Sequence, residues 1–244
     1  MLLYYITDRR QFPGSAAEQR AALLEKISEA ACCGVDYIQL REKDLSTRDL
    51  LQLAEEAGKS VEAARSQLAF RKSQLGTRLL IISRMDVALA CGAAGVHLRA
   101  DDISAAEARV ILTKAAAAEI SQPATRKWLI AASCHTANDV RRAASDGADF
   151  VVFAPVFEKG GQRGVGLEAL RAACGGTPKV SMPEASPAVY IPVLALGGVT
   201  VENAHACMEA GAAGIAAIRL FQDNDVAPVV ARLRASTSNA NAVK

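Results

Sequence analysis

The chain lacks a long hydrophobic run: no uninterrupted apolar stretch reaches the ~18 residues that a membrane-spanning helix needs. It also lacks a large excess of charge of one sign, because the net charge is only +2. A charge so near zero does not argue for a nucleic-acid or membrane partner. The first five residues lead into Ile6-Thr7-Asp8 without a basic segment or a cleavage signal, which predicts a strand and not a signal peptide. We therefore expect neither a nucleic-acid nor a membrane partner.

Paired cysteines are missing as well. The 6 Cys include no Cys-x-x-Cys spacing, and most fall at predicted helix ends. Disulfide frameworks belong to small secreted domains, whereas 244 residues that are 51% hydrophobic can build a sizeable core. We expect reduced, packed thiols and a cytoplasmic protein.

No Gly-x-Gly-x-x-Gly turn follows the first predicted strand, which argues against a doubly wound dinucleotide-binding sheet. A different glycine pattern recurs: an Ala-rich amphipathic stretch, a glycine, and a short apolar run. Its four copies contain Gly34, Gly92, Gly147 and Gly211. Glycine ends helices in the left-handed conformation, and a short apolar run fits a strand buried on both faces. The repeat predicts alternating helices and strands.

Eight apolar runs alternate with eight segments of helical period. The predicted strands are 2–7, 37–40, 79–82, 96–98, 128–132, 150–154, 192–196 and 215–218. The predicted helices are 16–33, 46–66, 85–91, 104–116, 136–145, 166–173, 201–210 and 225–235. This count predicts an α/β fold, the (β/α)8 TIM barrel, as a single domain over 1–235 with a disordered tail over 236–244. Chemistry in such barrels lies at the C-terminal ends of the strands.

The second strand ends in alternating polar residues. Gln39, Arg41 and Lys43 lie two apart and should share one face of the strand. One interpretation is a salt-bridged layer with Glu42 or Asp8. Because unpaired buried charge costs several kcal/mol, we favour an anionic ligand, and Arg with Lys suits phosphate or pyrophosphate.

The fourth and fifth strands end in further candidate groups. Asp101 and Asp102 form a carboxylate pair that suits Mg²⁺, although Asp102 could instead support the start of the next helix. Ser133 and His135 should point the same way, and could bind a ligand or move protons. His135 could also be only the neighbour of a helix N-cap.

The last three strands predict a second anion site. Strand six leads into a long Gly-rich basic loop over 158–166 that contains Lys159, typical of a lid or a phosphate loop. Gly197 and Gly198 follow strand seven, and Arg219 follows strand eight, where barrels commonly bind phosphate through backbone amides. Two anionic sites on one rim imply two phosphorylated substrates or one long one.

These motifs resemble, in order, those of thiamine phosphate synthases and the related thiazole tautomerases, from Leu3 to about Phe221. The motifs are Tyr5-Ile6-Thr7-Asp8-Arg9, Gln39-Leu40-Arg41-Glu42-Lys43, Asp86-Val87-Ala88-Leu89-Ala90, Gly95-Val96-His97-Leu98, Ser133-Cys134-His135-Thr136, Gly147-Ala148-Asp149, Pro155-Val156-Phe157 and Leu196-Gly197-Gly198-Val199. The resemblance is closest overall to the synthases. It implies a transferase of thiamine biosynthesis that joins a hydroxymethylpyrimidine pyrophosphate to a thiazole phosphate, giving thiamine phosphate and pyrophosphate with the help of Mg²⁺.

The resemblance also assigns residues. Gln39, Arg41 and Lys43 would bind the pyrimidine pyrophosphate, Asp102 would be a metal ligand, and Ser133 would contact the pyrophosphate. The thiazole phosphate would bind Gly198 and the backbone near Ile218 and Arg219. The catalytic candidates are Lys43, Ser133 and His135. The substrate-binding candidates are Gln39, Arg41, Lys43, Ser133, Lys159, Gly197, Gly198, Ile218 and Arg219.

The sequence departs from the synthase pattern at the metal site. Ser83 stands where the synthases have a metal-binding Asp after strand three, and Arg219 replaces the strand-eight Ser. The loop over 158–163 also lacks the Thr- and Lys-containing pattern. Two alternatives therefore stay open: a metal-independent thiazole tautomerase that uses His135, and a non-catalytic barrel that binds phosphate ligands. A homodimer is kept open as the assembly.

Overall fold

A computed structural model of the chain describes residues 1–69, 76–118, 127–158, 160–161, 163–175 and 191–238. Within them, eight parallel strands pair in chain order, and the last pairs with the first to close a barrel. The strands are β1 (Leu2–Ile6), β2 (Tyr37–Leu40), β3 (Arg78–Ile82), β4 (Gly95–Leu98), β5 (Leu129–Cys134), β6 (Phe150–Phe153), β7 (Val193–Ala195) and β8 (Gly214–Ala217). The predicted (β/α)8 TIM barrel is confirmed.

The helices follow the strands and cover the outside of the barrel. They are α1 (Ala16–Cys32), α2 (Thr47–Ala69), α3 (Met85–Ala90), α4 (Ala105–Ala118), α5 (Ala137–Ser145), α6 (Gly166–Cys174), α7 (Ala204–Glu209), α8 (Arg219–Gln222) and α9 (Val226–Ser238). Side-chain caps fix several starts. Before α4, the Ser104 N–H donates to Glu107 Oε2 at 2.9 Å, and the Glu107 N–H donates to Ser104 Oγ at 3.2 Å.

Two details differ from the sequence prediction. The short helix α8 was not predicted, because four residues carry no helical period. Helix α9 continues to Ser238, three residues past the predicted end of the barrel domain. The rest of the predicted tail, 239–244, lies outside the described residues.

The core has two apolar layers, because successive side chains of each strand point to opposite sides of the sheet. One layer fills the barrel and includes Tyr4, Leu80, Phe150 and Leu194. The other lies between the strands and the surrounding helices and includes Cys134. Inside the barrel, the rings of Tyr37 and Phe150 stack with centroids 4.7 Å apart. This packing closes the barrel interior below the strand ends.

The recurrent glycines serve two purposes. The four that follow helices have positive φ, from 66° at Gly92 to 101° at Gly211, as the left-handed helix ends require. Gly95 and Gly214 instead start strands, and a Cβ there would lie 1.9 Å and 2.1 Å from a neighbouring backbone oxygen. Side chains are excluded at these two positions because adjacent strands approach closely.

The described cysteines are all free thiols. Burial raises the pKa of Cys134 to about 12, which suits a packed thiol and not a nucleophile. In the part of the chain that the structure describes, no helix combines the length and the apolar character needed to span a membrane.

Candidate active site

The C-terminal ends of the strands surround an open cavity of about 460 Å³. Its polar lining combines basic, acidic, hydroxyl and amide groups from several strand ends and is made by Gln39, Arg41, Lys43, His97, Arg99, Asp101, Ser133 and His135. Gly197 and Ile218 complete its wall on the β7–β8 side. The structure therefore gathers most of the predicted site residues around one space.

The end of β2 divides its charges between two sides. Glu42 is 3% exposed and turns away from the cavity, where Thr7 Oγ1 donates to its Oε1 at 2.6 Å. Arg9 Nη1 donates to Glu42 Oε2 at 3.1 Å and pairs with Asp44 as well. Burial raises the pKa of Glu42, and these hydrogen bonds act in the opposite direction. Glu42 is thus occupied by Arg9 and not by the cations of the cavity.

Arg41 and Lys43 face the cavity together with Arg99. Among the described side chains, no carboxylate forms an ion pair with Arg41 or Lys43, whereas Arg99 pairs with Asp101. The positive charge of Arg41 is the main cause of a lowered pKa at Lys43; partial burial and Arg99 contribute next. Neighbouring cations of this kind create a positive potential that a bound anion would relieve.

A buried chain of hydrogen bonds rises through the barrel interior to this cavity. Tyr4 Oη lies 3.1 Å from His97 Nδ1, and His97 Nε2 lies 2.8 Å from Ser133 Oγ. Burial lowers the pKa of His97 to about 4, and Arg41 acts in the same direction. The imidazole is therefore neutral at physiological pH.

Asp102 lies beside the cavity and is held by two donors. Its Oδ2 accepts from Ser83 Oγ at 2.6 Å and from the Arg99 backbone N–H at 2.7 Å. Ser83 has a φ of 55°, unusual for a residue other than glycine. Within the described ranges, no group of three His, Cys, Asp or Glu side chains could hold a metal ion. The assignment of Asp102 as a metal ligand stays a prediction.

His135 is exposed on the cavity wall just before α5. Its Nδ1 lies 2.7 Å from the Ala154 carbonyl oxygen, and because a carbonyl only accepts, Nδ1 carries the proton. Its backbone N–H donates to Asp139, which caps α5 through Thr136. His135 is thus the neighbour of an N-cap residue, and its predicted role in binding a ligand or moving protons stays a prediction.

The β7–β8 side of the mouth is built mainly from backbone. Gly197 and Gly198 have φ of 99° and 62° and line a second, smaller cavity of about 60 Å³ with Ile218 and Arg219. A Cβ on Gly198 would lie 2.6 Å from the carbonyl oxygen of Glu158. Close packing against the loop after β6 is enough to explain why glycine stands at these positions, without a bound phosphate. The predicted role of Gly197 and Gly198 in binding phosphate therefore stays a prediction.

The Gly-rich loop after β6 is only partly described. Gly160 and Gly161 have positive φ, and Gly164 packs against the backbone at Val156 and Phe157. Lys159, predicted to bind substrate, lies outside the described residues.

Comparison with known proteins identifies the family. A family model described as "Thiamine monophosphate synthase" matches residues 3–221. The chain belongs to the thiamine monophosphate synthase family.

Relatives within this family cover most of the chain. A putative thiamine-phosphate synthase of Geobacter sulfurreducens is 37% identical over 220 residues, 88% of this chain and 84% of that protein. A thiamine-phosphate synthase of Methanoculleus marisnigri is 33% identical over 243 residues, 98% and 97% of the two chains. The solved thiamine phosphate pyrophosphorylase from Pyrococcus furiosus superposes with a TM-score of 0.71 at 26% identity, covering 98% of this chain and 96% of that one. The predicted resemblance and a transferase of thiamine biosynthesis are confirmed.

Sequence reasoning missed two residues that line this cavity, His97 and Arg99. Both lie on the cavity wall, yet His97 was taken as part of an apolar run and Arg99 was given no role. A usable signal was present, because the two residues lie two apart and share a face, as Gln39, Arg41 and Lys43 do.

Proposed function

We propose that this family member joins a hydroxymethylpyrimidine pyrophosphate to a thiazole phosphate, releasing pyrophosphate and thiamine phosphate. The observation that carries the proposal is the pair Arg41 and Lys43, which line the cavity without a carboxylate partner in the described part of the chain. Family membership supports the same reaction.

The cationic side of the cavity suits the leaving group. In the condensation, the bond between the pyrimidine methylene carbon and a pyrophosphate oxygen breaks, and the thiazole nitrogen forms the new bond to that carbon. Pyrophosphate leaves with the electron pair, so negative charge increases at its oxygens. Arg41, Lys43 and the Ser133 hydroxyl are available on the cavity wall to stabilise that charge.

The pyrimidine ring is assigned to the deeper part of the cavity. Gln39 is 2% exposed and lines the cavity below Arg41 and Lys43. Its amide offers both a donor and an acceptor, which suits the nitrogen-rich edge of an aminopyrimidine. Hydrogen bonds from Gln39 to the pyrimidine ring would thereby place the reactive methylene of the substrate near the pyrophosphate-binding cations.

The donor chemistry fits a Mg²⁺ ion that takes several ligands from substrate and water. Asp101 lines the cavity, and Asp102 Oδ1 has no hydrogen-bond partner among the described groups, since Ser83 and Arg99 both donate to Oδ2. Asp102 and Asp101 would hold the ion. When bound, Mg²⁺ would neutralise part of the pyrophosphate charge.

The thiazole phosphate is assigned to the small cavity beside β7 and β8. Gly197 and Gly198 permit close approach to the backbone there, and Arg219 adds one exposed cation. The two phosphorylated substrates would then enter from opposite sides of the mouth.

The decisive experiment incubates the purified chain with both substrates and Mg²⁺ and measures thiamine phosphate and pyrophosphate. Equal amounts of the two products are expected. Absence of both products at every Mg²⁺ concentration would overturn the proposal.

A thiazole tautomerase is the second candidate, because Nε2 of His135 has no hydrogen-bond partner among the described residues and could act as a base while Ala154 holds Nδ1. It predicts isomerisation of a thiazole carboxylate phosphate in the presence of EDTA, lost in His135→Ala. Condensation without EDTA-resistant isomerisation excludes it. Binding of phosphate ligands with neither reaction would instead indicate a non-catalytic barrel.

A further inference from the structure

We propose that His97 is a positioning residue: the chain from Tyr4 through His97 to Ser133 turns the Ser133 hydroxyl hydrogen towards the bound pyrophosphate. The proposal rests on the proposed function for the identity of the anion. It concerns which way the hydrogen bonds run, and therefore whether Ser133 donates to the anion or faces it only with lone pairs.

The chain is buried at its inner end and open at its outer end. Tyr4 is fully buried within the barrel, and His97 is 2% exposed. Their contact, Oη to Nδ1, is 3.1 Å, and the contact from Nε2 to Ser133 Oγ is 2.8 Å. Ser133 and His97 both reach the 460 Å³ cavity, while Tyr4 is surrounded by the apolar interior of the barrel.

The available donors and acceptors determine the direction of the hydrogen bond between Tyr4 and His97. Tyr4 Oη has one hydrogen to donate, and among the described residues its only hydrogen-bond partner is His97 Nδ1. If Nδ1 carried a proton, the buried phenol hydrogen would have no acceptor, which costs about 1–3 kcal/mol. Burial also raises the pKa of Tyr4, so the phenol keeps its proton. Tyr4 therefore donates to Nδ1.

The imidazole passes this direction on to Ser133. A neutral ring that accepts at Nδ1 carries its proton on Nε2 and donates it to Ser133 Oγ. Because the serine oxygen accepts from below, its own hydrogen is left to point into the cavity. In the opposite tautomer Ser133 would donate to Nε2 and offer only lone pairs to an anion, which would repel it.

The hydrogen-bond direction can be read without turnover. The sequence has only 3 His, so ¹⁵N NMR of the labelled protein can resolve each ring, and the signal lost in His97→Gln assigns His97. A protonated Nε2 with a bare Nδ1 is expected between about pH 6 and 8. A protonated Nδ1, or a doubly protonated ring, would overturn the proposal.

Binding of inorganic pyrophosphate with Mg²⁺, measured by calorimetry, tests the effect on the anion. Ser133→Ala is expected to weaken binding about tenfold, as loss of a hydrogen bond to a charged group does. Tyr4→Phe should weaken it several-fold on its own and not at all in the Ser133→Ala background, because Tyr4 acts only through Ser133. Full additivity of the two changes would show a merely structural role for Tyr4.

Two controls separate positioning from folding. Tyr5→Phe removes a neighbouring buried hydroxyl that is not part of the Tyr4–His97–Ser133 chain and donates to Gln222 Oε1 at 3.1 Å. This variant should leave pyrophosphate affinity unchanged. His97→Gln keeps an N–H near the Nε2 position and should retain most affinity, whereas the shorter His97→Asn should bind about as weakly as Ser133→Ala. Equal losses in the two variants would contradict the proposal.

The outcomes also distinguish this inference from the proposed function. Pyrophosphate binding with the expected tautomer but no thiamine phosphate formation would overturn the proposed function alone. Condensation by the unvaried protein with additive variants would overturn this inference alone. Failure of the unvaried protein to bind pyrophosphate would overturn both.

Discussion

The two sides of the barrel mouth are built from different material. On the β2–β4 side, charged side chains such as Arg41, Lys43 and Arg99 line the cavity. On the β7–β8 side, the walls are mostly backbone at Gly197 and Gly198. A side-chain site depends on charge that substitution can remove, whereas a backbone site depends on a conformation that substitution distorts. The two sides should therefore fail in different ways.

The largest expected effect is loss of the unpaired charge on the β2 side. Arg41→Ala should lower kcat/KM for the condensation by about 100-fold, since a charge-assisted contact to the leaving group disappears. Because Arg41 has no carboxylate partner among the described residues, thermal stability should change little. Steady-state kinetics and a melting curve measure both. Arg10→Ala, which removes an exposed cation near the same end of the barrel, is the control and should leave kinetics unchanged. A similar loss in both variants would mean that general potential, and not contact, attracts the substrate.

Next in size is strain on the β7 side. Gly198→Ala should destabilise the fold by about 1–3 kcal/mol and raise the KM for the thiazole phosphate, because φ is 62° and the new Cβ would lie 2.6 Å from the Glu158 oxygen. Gly147→Ala is the matched control: its φ is 77°, yet no atom lies within 4 Å of the added Cβ. Gly147→Ala should therefore lose stability through backbone strain alone and keep its KM. Denaturant unfolding and kinetics with varied thiazole phosphate provide the measurements. An unchanged KM in Gly198→Ala would remove the backbone site from substrate binding.

A smaller effect is expected from a substitution beside Asp102, the predicted metal ligand. Ser83→Asp would replace a hydroxyl that donates to Asp102 with a second carboxylate. Like charges should destabilise the metal-free fold by about 1 kcal/mol, and Mg²⁺ should then raise the melting temperature more in the variant than in the unvaried protein. Aspartate tolerates the φ of 55° better than most side chains do. Ser83→Asn, with the same shape and no charge, is the control. An equal Mg²⁺ response in both variants would place the ion away from Asp102.

The same comparison explains what sequence could predict. Period-two alternation correctly predicted that Gln39, Arg41 and Lys43 face one cavity, although β2 ends at Leu40 and only the direction of Gln39 is fixed by strand geometry. It could not foresee that Glu42 pairs with Arg9, since that contact depends on how β1 and β2 meet at their ends.

Sequence predicted less about residues whose role depends on contacts with residues distant in the chain. His97 is flanked by Val96 and Leu98, and only the fold reveals Tyr4 below it and Ser133 above it. Gly198 was predicted to let a phosphate approach the backbone, which stays a prediction, and its close contact with the loop after β6 comes from tertiary packing. Local patterns thus specified the barrel and one face of the site, and the remainder depended on contacts between distant strands.

The smallest expected effect is the uptake of a proton by Lys43, on the β2 side of the mouth, when pyrophosphate binds. The pKa of Lys43 is lowered, chiefly by Arg41, so in the free protein part of Lys43 is neutral at a pH where an isolated lysine is still charged. A bound anion would offset Arg41 and raise that pKa, so pyrophosphate binding at about pH 9 should take up a fraction of a proton. Calorimetry in two buffers of different ionisation enthalpy measures the uptake. Arg41→Gln should reduce it, and Lys43→Arg, which stays charged, should abolish it. Uptake that persists in Lys43→Arg would assign the proton to another group and remove Lys43 from contact with the anion.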